Sequence, residues 1–492
     1  MNYICGDDRT QIRIESMEEF VEKYSEVRVI DKIVDSMNLE CLGFNIGNND
    51  AIGRPKFDPK DLLKLYIYGY FNGIRSSRKL AKQCVINREV IWLIKGLKPK
   101  YRVIADFRKD NIEALEEVFK SFVNYCIKLG LYGKELIVVD GTKLEASASK
   151  RKHYSKNKLA KMKKIAQDKI KEYLHEVEMN DKIDDKNSSL DKTSIPNAIE
   201  ELEEKIAYYD DLEAMLIEND MNEINFTDSD AKTVKFGANQ GTDVGYNVQS
   251  AVDAENKLIV TFEVGNNSPD QGQLHNVSKK AKDILEIETI EVLADKGYFA
   301  AEDLAKCEED DITSYVSRPR YTNSSGDSRY FIDKFKYIKE DDVYICPDGE
   351  ILHCHTKKVD AKRREYYNFD ACKNCENKDK CTTAKDGRKI ARTEGDEIAE
   401  IVDKRVKENQ EKYKQRQMIV EHPFGTIKRT MGFYHLLLRG FKKVRGEVSI
   451  AFFTYNLKRV INILGTEKFL EALISKIYFI ILKKYTLAII AS

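Results

Sequence analysis

Apolar and polar positions divide the chain into recognisable elements. The run Leu136-Ile-Val-Val139 leads into Asp140-Gly141. A short apolar, β-branched run bounded by a carboxylate and a glycine predicts a buried strand ending in a turn. Thr289-Ile-Glu-Val-Leu-Ala-Asp295-Lys-Gly-Tyr298 repeats the design. Between them, Gly245 to Asp253 alternates Val248, Ser250 and Val252 with Asn247, Gln249 and Ala251. It is followed across Ala254 to Lys257 by the apolar stretch Leu258 to Val264. That period of two predicts a hairpin. Helical spacing marks Gln271 to Ile284 and Ala301 to Cys307, and Ile312 to Ser317 reads as a further strand.

The first part of the chain reads as helical. Pieces at Met17 to Tyr24 and Val29 to Met37 precede a Gly/Asn-rich break from Gly43 to Gly53. Asp58 and Pro59 then supply the cap and first turn of a helix reaching Phe71. Further helices are predicted at Ser77 to Cys84, Arg88 to Ile94, Tyr101 to Asn111 and Ile112 to Leu129. Later, two helical runs at Leu159 to Val177 and Ile199 to Ile217 flank the acidic stretch Asn180 to Pro196, as in a helical hairpin inserted into another fold. One long helix is expected from Ile398 to Thr430 and another from Glu447 to Leu464, ending at Gly465.

With 492 residues the chain exceeds one core. The divisions are an N-terminal helical domain at 1–130, an α/β core at 131–320 and 398–465, a helical insertion at 150–235, a Cys-rich insertion at 318–397 and an apolar tail at 466–492. Met1 to Asp8 lacks the basic and apolar regions of a signal peptide. The apolar tail from Ile477 is cut by Lys483 and Lys484, short of the roughly 18 residues a spanning helix needs. A cytoplasmic protein with no membrane contact is expected.

The net charge is zero, but its distribution is uneven. Residues 54–110, 143–171 and 421–460 carry net charges of +10, +9 and +6, while 172–230 carries −15. Three basic segments and one acidic block suit a protein that holds a polyanion on some faces only. In the N-terminal helices, Arg75, Arg78, Lys79 and Lys82 cluster as on the groove-facing helix of a helix-turn-helix module, and are the candidate DNA contacts.

Five of the ten cysteines lie between Cys346 and Cys381, which indicates a local site in a reducing compartment. Cys372 and Cys375 have knuckle spacing. With two of Cys346, Cys354 and Cys381 they offer a candidate structural Zn²⁺ site.

The order of elements is that of an RNase H-like core: strand with Asp140, hairpin, helix, strand with Asp295, helix, strand, insertion, helix with Glu421. Such a fold brings together three carboxylates that are 155 and 126 residues apart. Oxygen ligands of this kind suit Mg²⁺ or Mn²⁺, with two ions serving a phosphodiester. An ordinary turn-capping role accounts for Asp140 and Asp295 taken singly, and Asp253 and Asp270 stand near element ends as alternative ligands.

Four motifs in this order carry a resemblance: Val139 to Ala146, Gly245 to Asp253, Ala294 to Tyr298, and Val420-Glu-His-Pro-Phe-Gly-Thr-Ile-Lys428. Together with the N-terminal helices and Tyr455-Asn-Leu-Lys-Arg459, they resemble a bacterial insertion-sequence transposase of the DDE superfamily, most like the group numbered eleven eighty-two. The resemblance implies Asp140, Asp295 and Glu421 as the catalytic, metal-binding triad. It also implies Tyr413, Arg416 and Lys428 as companions on the Glu helix that contact DNA. Four residues separate Arg416 from Glu421 where three are typical, and the three-residue position holds Gln417. The function implied is binding of terminal inverted repeats in double-stranded DNA, end cleavage and joining to target DNA, by a homodimer or larger assembly. The competing readings are a DNA nuclease or resolvase on the same fold, and a catalytically inactive DNA-binding remnant.

Overall fold

The computed structural model describes residues 8–475 apart from 13, 47–54, 183–193, 238–240, 320–325, 357–362 and 394. Most of the Gly43 to Gly53 break, the tip of the acidic stretch within Asn180 to Pro196, and the tail from Ile477 lie outside the described residues.

The N-terminal part is built from α1 (Glu26–Asp35), α2 (Pro59–Phe71), α3 (Ser77–Ile86), α4 (Arg88–Leu93), α5 (Tyr101–Asp110) and α6 (Ile112–Lys128). Asp58 caps α2 by accepting from the Lys60 amide, with Pro59 in the first turn where its missing N–H costs nothing. Asn87 caps α4 in the same way.

The chain then enters β1 (Leu136–Glu145). A ribbon of β2 (His153–Ser155) and β3 (Glu223–Asn225) carries the long helices α7 (Lys156–Lys182) and α8 (Ser194–Glu218). Next come β4 (Lys232–Gly237), β5 (Gly241–Asp253), β6 (Ile259–Gly265), α9 (Leu274–Leu285), β7 (Ile290–Ala294), α10 (Ala301–Glu309) and β8 (Ile312–Val316).

These strands form one mixed sheet in the order β5-β1-β7-β8. β4 and β6 share the outer edge of β5. β5 runs antiparallel to its neighbours, while β1, β7 and β8 are parallel to one another. With α9 and α10 packed on it, the sheet makes a mixed α/β architecture.

The register of β1 decides where chemistry can happen. It pairs with β5 along its whole length, from Ile137 opposite Asp253 to Glu145 opposite Gly245. It pairs with β7 only from Leu136 to Val139, because β7 ends at Ala294. The strand therefore does not stop in a turn at Asp140-Gly141, as the sequence pattern predicts, but continues six residues past Val139. β5 supplies a partner for the whole stretch, which local apolarity does not reveal.

A second departure concerns the long helix expected from Ile398 to Thr430. It is divided into α13 (Asp396–Glu408) and α14 (Gln410–Gly425), followed by a π turn at Thr426–Thr430. Asn409 leaves helical geometry at the junction, and Pro423 removes a backbone donor near the end of α14. The last helix, α15 (Phe441–Leu464), begins six residues before Glu447.

One apolar core runs from Val21 to Leu473 and is shared by the N-terminal helices, the sheet and α15. At its centre α6 lies along α15, with the Phe122 and Phe453 rings 4.9 Å apart. The Cys-rich segment has a small core of its own. It forms an antiparallel sheet of β9 (Lys336–Ile338), β10 (Val343–Ile345), β11 (Ile351–Cys354), β12 (Arg363–Tyr367) and β13 (Lys389–Thr393). Two short helices, α11 (Phe369–Lys373) and α12 (Lys378–Cys381), close it. Among the described residues no helix is long and apolar enough to cross a membrane.

Candidate active site

The gap where β7 leaves β1 collects the acidic side chains. Asp140 sits on β1 just past the last residue paired with β7, and its Oδ1 accepts from the Gly141 amide at 2.9 Å. Asp295 follows the last residue of β7 and accepts from the Gly297 amide at 2.7 Å. Burial pushes the Asp140 carboxyl up to about 6. The Gly141 amide and Arg416 pull it back, while Asp295 and Asp270 push it further up.

Asp270 belongs to this gap and Asp253 does not. Asp253 is fully buried at the far end of β5, where it accepts from the Gly133 and Asn256 amides and so fixes a turn. Asp270 Oδ1 accepts from Lys143 Nζ at 2.7 Å, Asn247 Nδ2 at 2.8 Å and Gln249 Nε2 at 2.7 Å. Gln249 in turn accepts from the buried Tyr298 hydroxyl. This network ties β1, β5 and the turn after Asp295 together. The signal for it was present in the chain: Asn247 and Gln249 are two apart on an otherwise buried strand, and so share one face.

Gly141 leaves room for this network. A Cβ there would stand 2.7 Å from Gln249 Nε2 and 3.0 Å from Asp270 Oδ1.

α14 lies across β1 and β7 and brings the late residues. The Tyr413 hydroxyl donates to the Ala294 carbonyl at 3.2 Å, one residue before Asp295. Lys412, beside it, is paired with Glu291 on β7. Arg416 has its guanidinium 5.9 Å from the Tyr413 ring and is near enough to Asp140 to stabilise its charge. Lys428, in the π turn, donates to the Lys143 carbonyl on β1 at 3.2 Å. Burial and Lys143 lower its pKa, and Asp140 offsets them in part.

Glu421 is exposed and accepts from Gln417 Nε2 at 2.7 Å, one turn earlier on its own helix. It lies about 100° around the helix from the buried Val420. Among the described residues no three His, Cys, Asp or Glu side chains stand close enough to hold a metal ion. Asp140 and Asp295 are thus brought together with Arg416, while Glu421 is on the right helix but engaged elsewhere.

Of the four candidate DNA contacts in the N-terminal helices, Arg78, Lys79 and Lys82 are exposed on α3, with Arg78 over the Tyr101 ring. Arg75 departs from the sequence reading. It is buried, ion-paired with the fully buried Glu447 at 3.1 Å, donates to the Gly432 carbonyl at 2.9 Å and stacks on Phe433. Its charge and both terminal guanidinium nitrogens are engaged inside the protein, so it is not presented to a phosphate.

In the Cys-rich sheet, Cys346, Cys372, Cys375 and Cys381 line one cavity of about 40 Å³, and Cys354 does not.

Two family models match the chain. Residues 345–461 match a family described as Transposase DDE domain, and residues 15–110 one described as Transposase domain (DUF772). Over these two segments the chain is similar to DDE transposases. The first match contains Glu421, Arg416 and Lys428, and the second contains α2 and α3. Neither reaches Asp140 or Asp295. Among solved structures, a piggyBac transposase synaptic complex with hairpin DNA is matched over 95% of this chain and 80% of that one, at 9% identity and a TM-score of 0.30. A superposition that weak carries no argument about the fold. No curated protein matches the chain.

Proposed function

We propose that the chain is a transposase that binds the terminal inverted repeats of its own element through residues 1–130, cleaves the DNA ends and joins them to target DNA on an RNase H-like core. The observation that carries the reading is the meeting of Asp140, Asp295 and Arg416 in the gap beyond β7. The sheet supports it: β6, β5, β1, β7 and β8 stand side by side with only β5 reversed against the rest.

The donor set fits a hard divalent cation. Asp140 and Asp295 place like charges in one gap, where the Asp295 charge makes Asp140 costlier to ionise, and carboxylate oxygens are the ligands Mg²⁺ or Mn²⁺ takes. Asp140, Asp295 and Glu421 would hold two such ions, Glu421 after releasing Gln417. When bound, the pair supplies activation of the attacking oxygen, water first and the freed 3′-hydroxyl later, and stabilisation of the leaving oxygen.

The remaining residues bind and orient. Arg416 and Lys428 flank Asp140 and grip the phosphates beside the cleaved bond. Tyr413 fixes α14 against the end of β7. Arg78, Lys79 and Lys82 hold the backbone of the terminal repeat from the exposed face of α3. Holding two ends at once requires at least a homodimer on DNA.

The test is purified protein with a labelled duplex carrying the flanking DNA, a supercoiled target plasmid, and Mg²⁺ or EDTA. The expected result is Mg²⁺-dependent 3′-end cleavage with joined products, lost in Asp140→Ala and Asp295→Ala. Cleavage without joining makes the protein a nuclease. Specific binding with no cleavage in any metal makes it a DNA-binding remnant.

A further inference from the structure

The Cys-rich sheet is poorly supplied with apolar core. Among the described residues, Phe335, Tyr344, Leu352, Tyr366 and Ile390 form its buried cluster. A module of this size with so few buried side chains is marginal on burial alone, and small domains of this kind are commonly stapled by disulfides or a metal. None of its described cysteines is in a disulfide.

Four of those thiols border one cavity. Cys346 follows β10, Cys372 lies in α11, Cys375 follows that helix and Cys381 ends α12. All four line the same cavity of about 40 Å³. The backbone is arranged around the sulfurs. The Glu350 amide donates to Cys346 Sγ at 3.2 Å, and the Gly349 amide closes the turn onto the Cys346 carbonyl at 2.9 Å. Gly387 has φ +128°, and a Cβ there would meet Cys372 Cβ at 2.5 Å and Sγ at 3.0 Å.

The cavity wall also carries Arg388 and Lys378. Arg388 Nε is buried without a hydrogen-bond partner. An unsatisfied guanidinium donor beside four thiols is what a cluster of thiolates with a net charge of −2 around Zn²⁺ would satisfy. Cys354 is different: it pairs opposite Tyr366 in the sheet and does not line the cavity.

We propose that Cys346, Cys372, Cys375 and Cys381 bind one structural Zn²⁺ that holds α11 and α12 against the sheet. The four thiols stand around the cavity without meeting at a common point. Binding therefore draws them in by side-chain rotation to roughly 2.3 Å from the ion, and each thiol releases its proton to solvent as its Zn–S bond forms. Four thiolates and no open position make a closed, structural site. The inference is independent of the chemistry assigned to Asp140 and Asp295.

The experiment uses the full chain purified under reducing conditions without chelator, with metal content measured by mass spectrometry. One zinc per chain is expected, lost in Cys372→Ser and Cys375→Ser and kept in Cys354→Ser. To remain independent of how the variants fold, the wild-type chain is stripped of metal and titrated with Co²⁺. A tetrahedral tetrathiolate site gives an intense thiolate-to-cobalt charge-transfer band and strong d–d bands, both erased by added Zn²⁺. Stripping should also speed proteolysis within residues 328–393. Absence of stoichiometric zinc together with no such Co²⁺ spectrum overturns the proposal. So does zinc that survives Cys372→Ser, or that is lost as fully in Cys354→Ser.

Discussion

Arg75 and Arg78 stand three residues apart and read alike in the sequence, yet they do different work. Arg75 is an internal tie between the turn before α3 and Glu447 of α15. Removing one partner of a buried ion pair leaves a charge uncompensated, at a cost of about 3–5 kcal/mol. Urea unfolding of Arg75→Ala should show a loss of that size. Arg78→Ala and Lys79→Ala should leave stability within about 0.5 kcal/mol, because both side chains are exposed. Each should reduce the slope of log binding constant against log salt by about 1, measured by fluorescence anisotropy on a repeat duplex. Glu223 gives a pH signature at the same scale. Burial raises its carboxyl, but bonds from His153 and Thr233 outweigh burial and bring it from 4.5 to about 2. A depressed acid contributes stability that is complete above its unfolded pKa and is lost as pH falls through the folded one. The ribbon under α7 and α8 should therefore lose ~3 kcal/mol between about pH 4.5 and 2. Glu223→Gln should flatten that limb of the stability curve.

At the scale of elements, α14 decides whether the acidic gap is complete. Its inward face was partly legible: Tyr413 and Arg416 are one turn apart, and both reach the end of β7 or Asp140. The chain has one residue more than is typical between Arg416 and Glu421, and it is Gln417, at the shorter spacing, that holds Glu421 outward. Gln417→Ala should release Glu421, so half-maximal cleavage should need less Mg²⁺ than in the wild type. Glu421→Gln should abolish cleavage while the melting temperature stays within a few degrees. A cleavage assay over a Mg²⁺ series reads both, and an unchanged Mg²⁺ requirement in Gln417→Ala would remove Gln417 as the restraint. Strand ends were less legible than helix faces. The apolar run stops at Val139, but the hydrogen-bonded strand continues because β5 pairs with it to Glu145.

At the scale of the whole molecule, the N-terminal helices are built into the core. α6 packs along α15, and Phe119 meets Phe262 of β6 at 5.5 Å. Residues 1–130 expressed alone should lack stable tertiary structure, since Phe119, Phe122 and their neighbours would face water. Near-UV circular dichroism and hydrogen exchange of that fragment check this. In the full chain those helices should unfold in the same transition as the sheet, and Phe122→Ala should lower that transition by about 3–5 kcal/mol.

The sequence by itself determined the helices of the first 130 residues, the hairpin at Gly245 to Val264, the two Asp-bearing strands and the clustering of five cysteines. Each of these is written in local periodicity or spacing, where side chains a few residues apart set the outcome. It also carried the motifs of a DDE transposase. Only the tertiary structure decided the rest: that Gly141 stays in a strand beneath Gln249 and Asp270, that Asp270 enters the acidic gap and Asp253 leaves it, that Arg75 turns inward, and that Cys354 stands apart from the other four thiols. The reason is the same in each case. Whether a polar side chain meets solvent, a partner or a ligand depends on segments tens to hundreds of residues away. Glu447, 372 residues from Arg75, settles a question that no window around Arg75 contains.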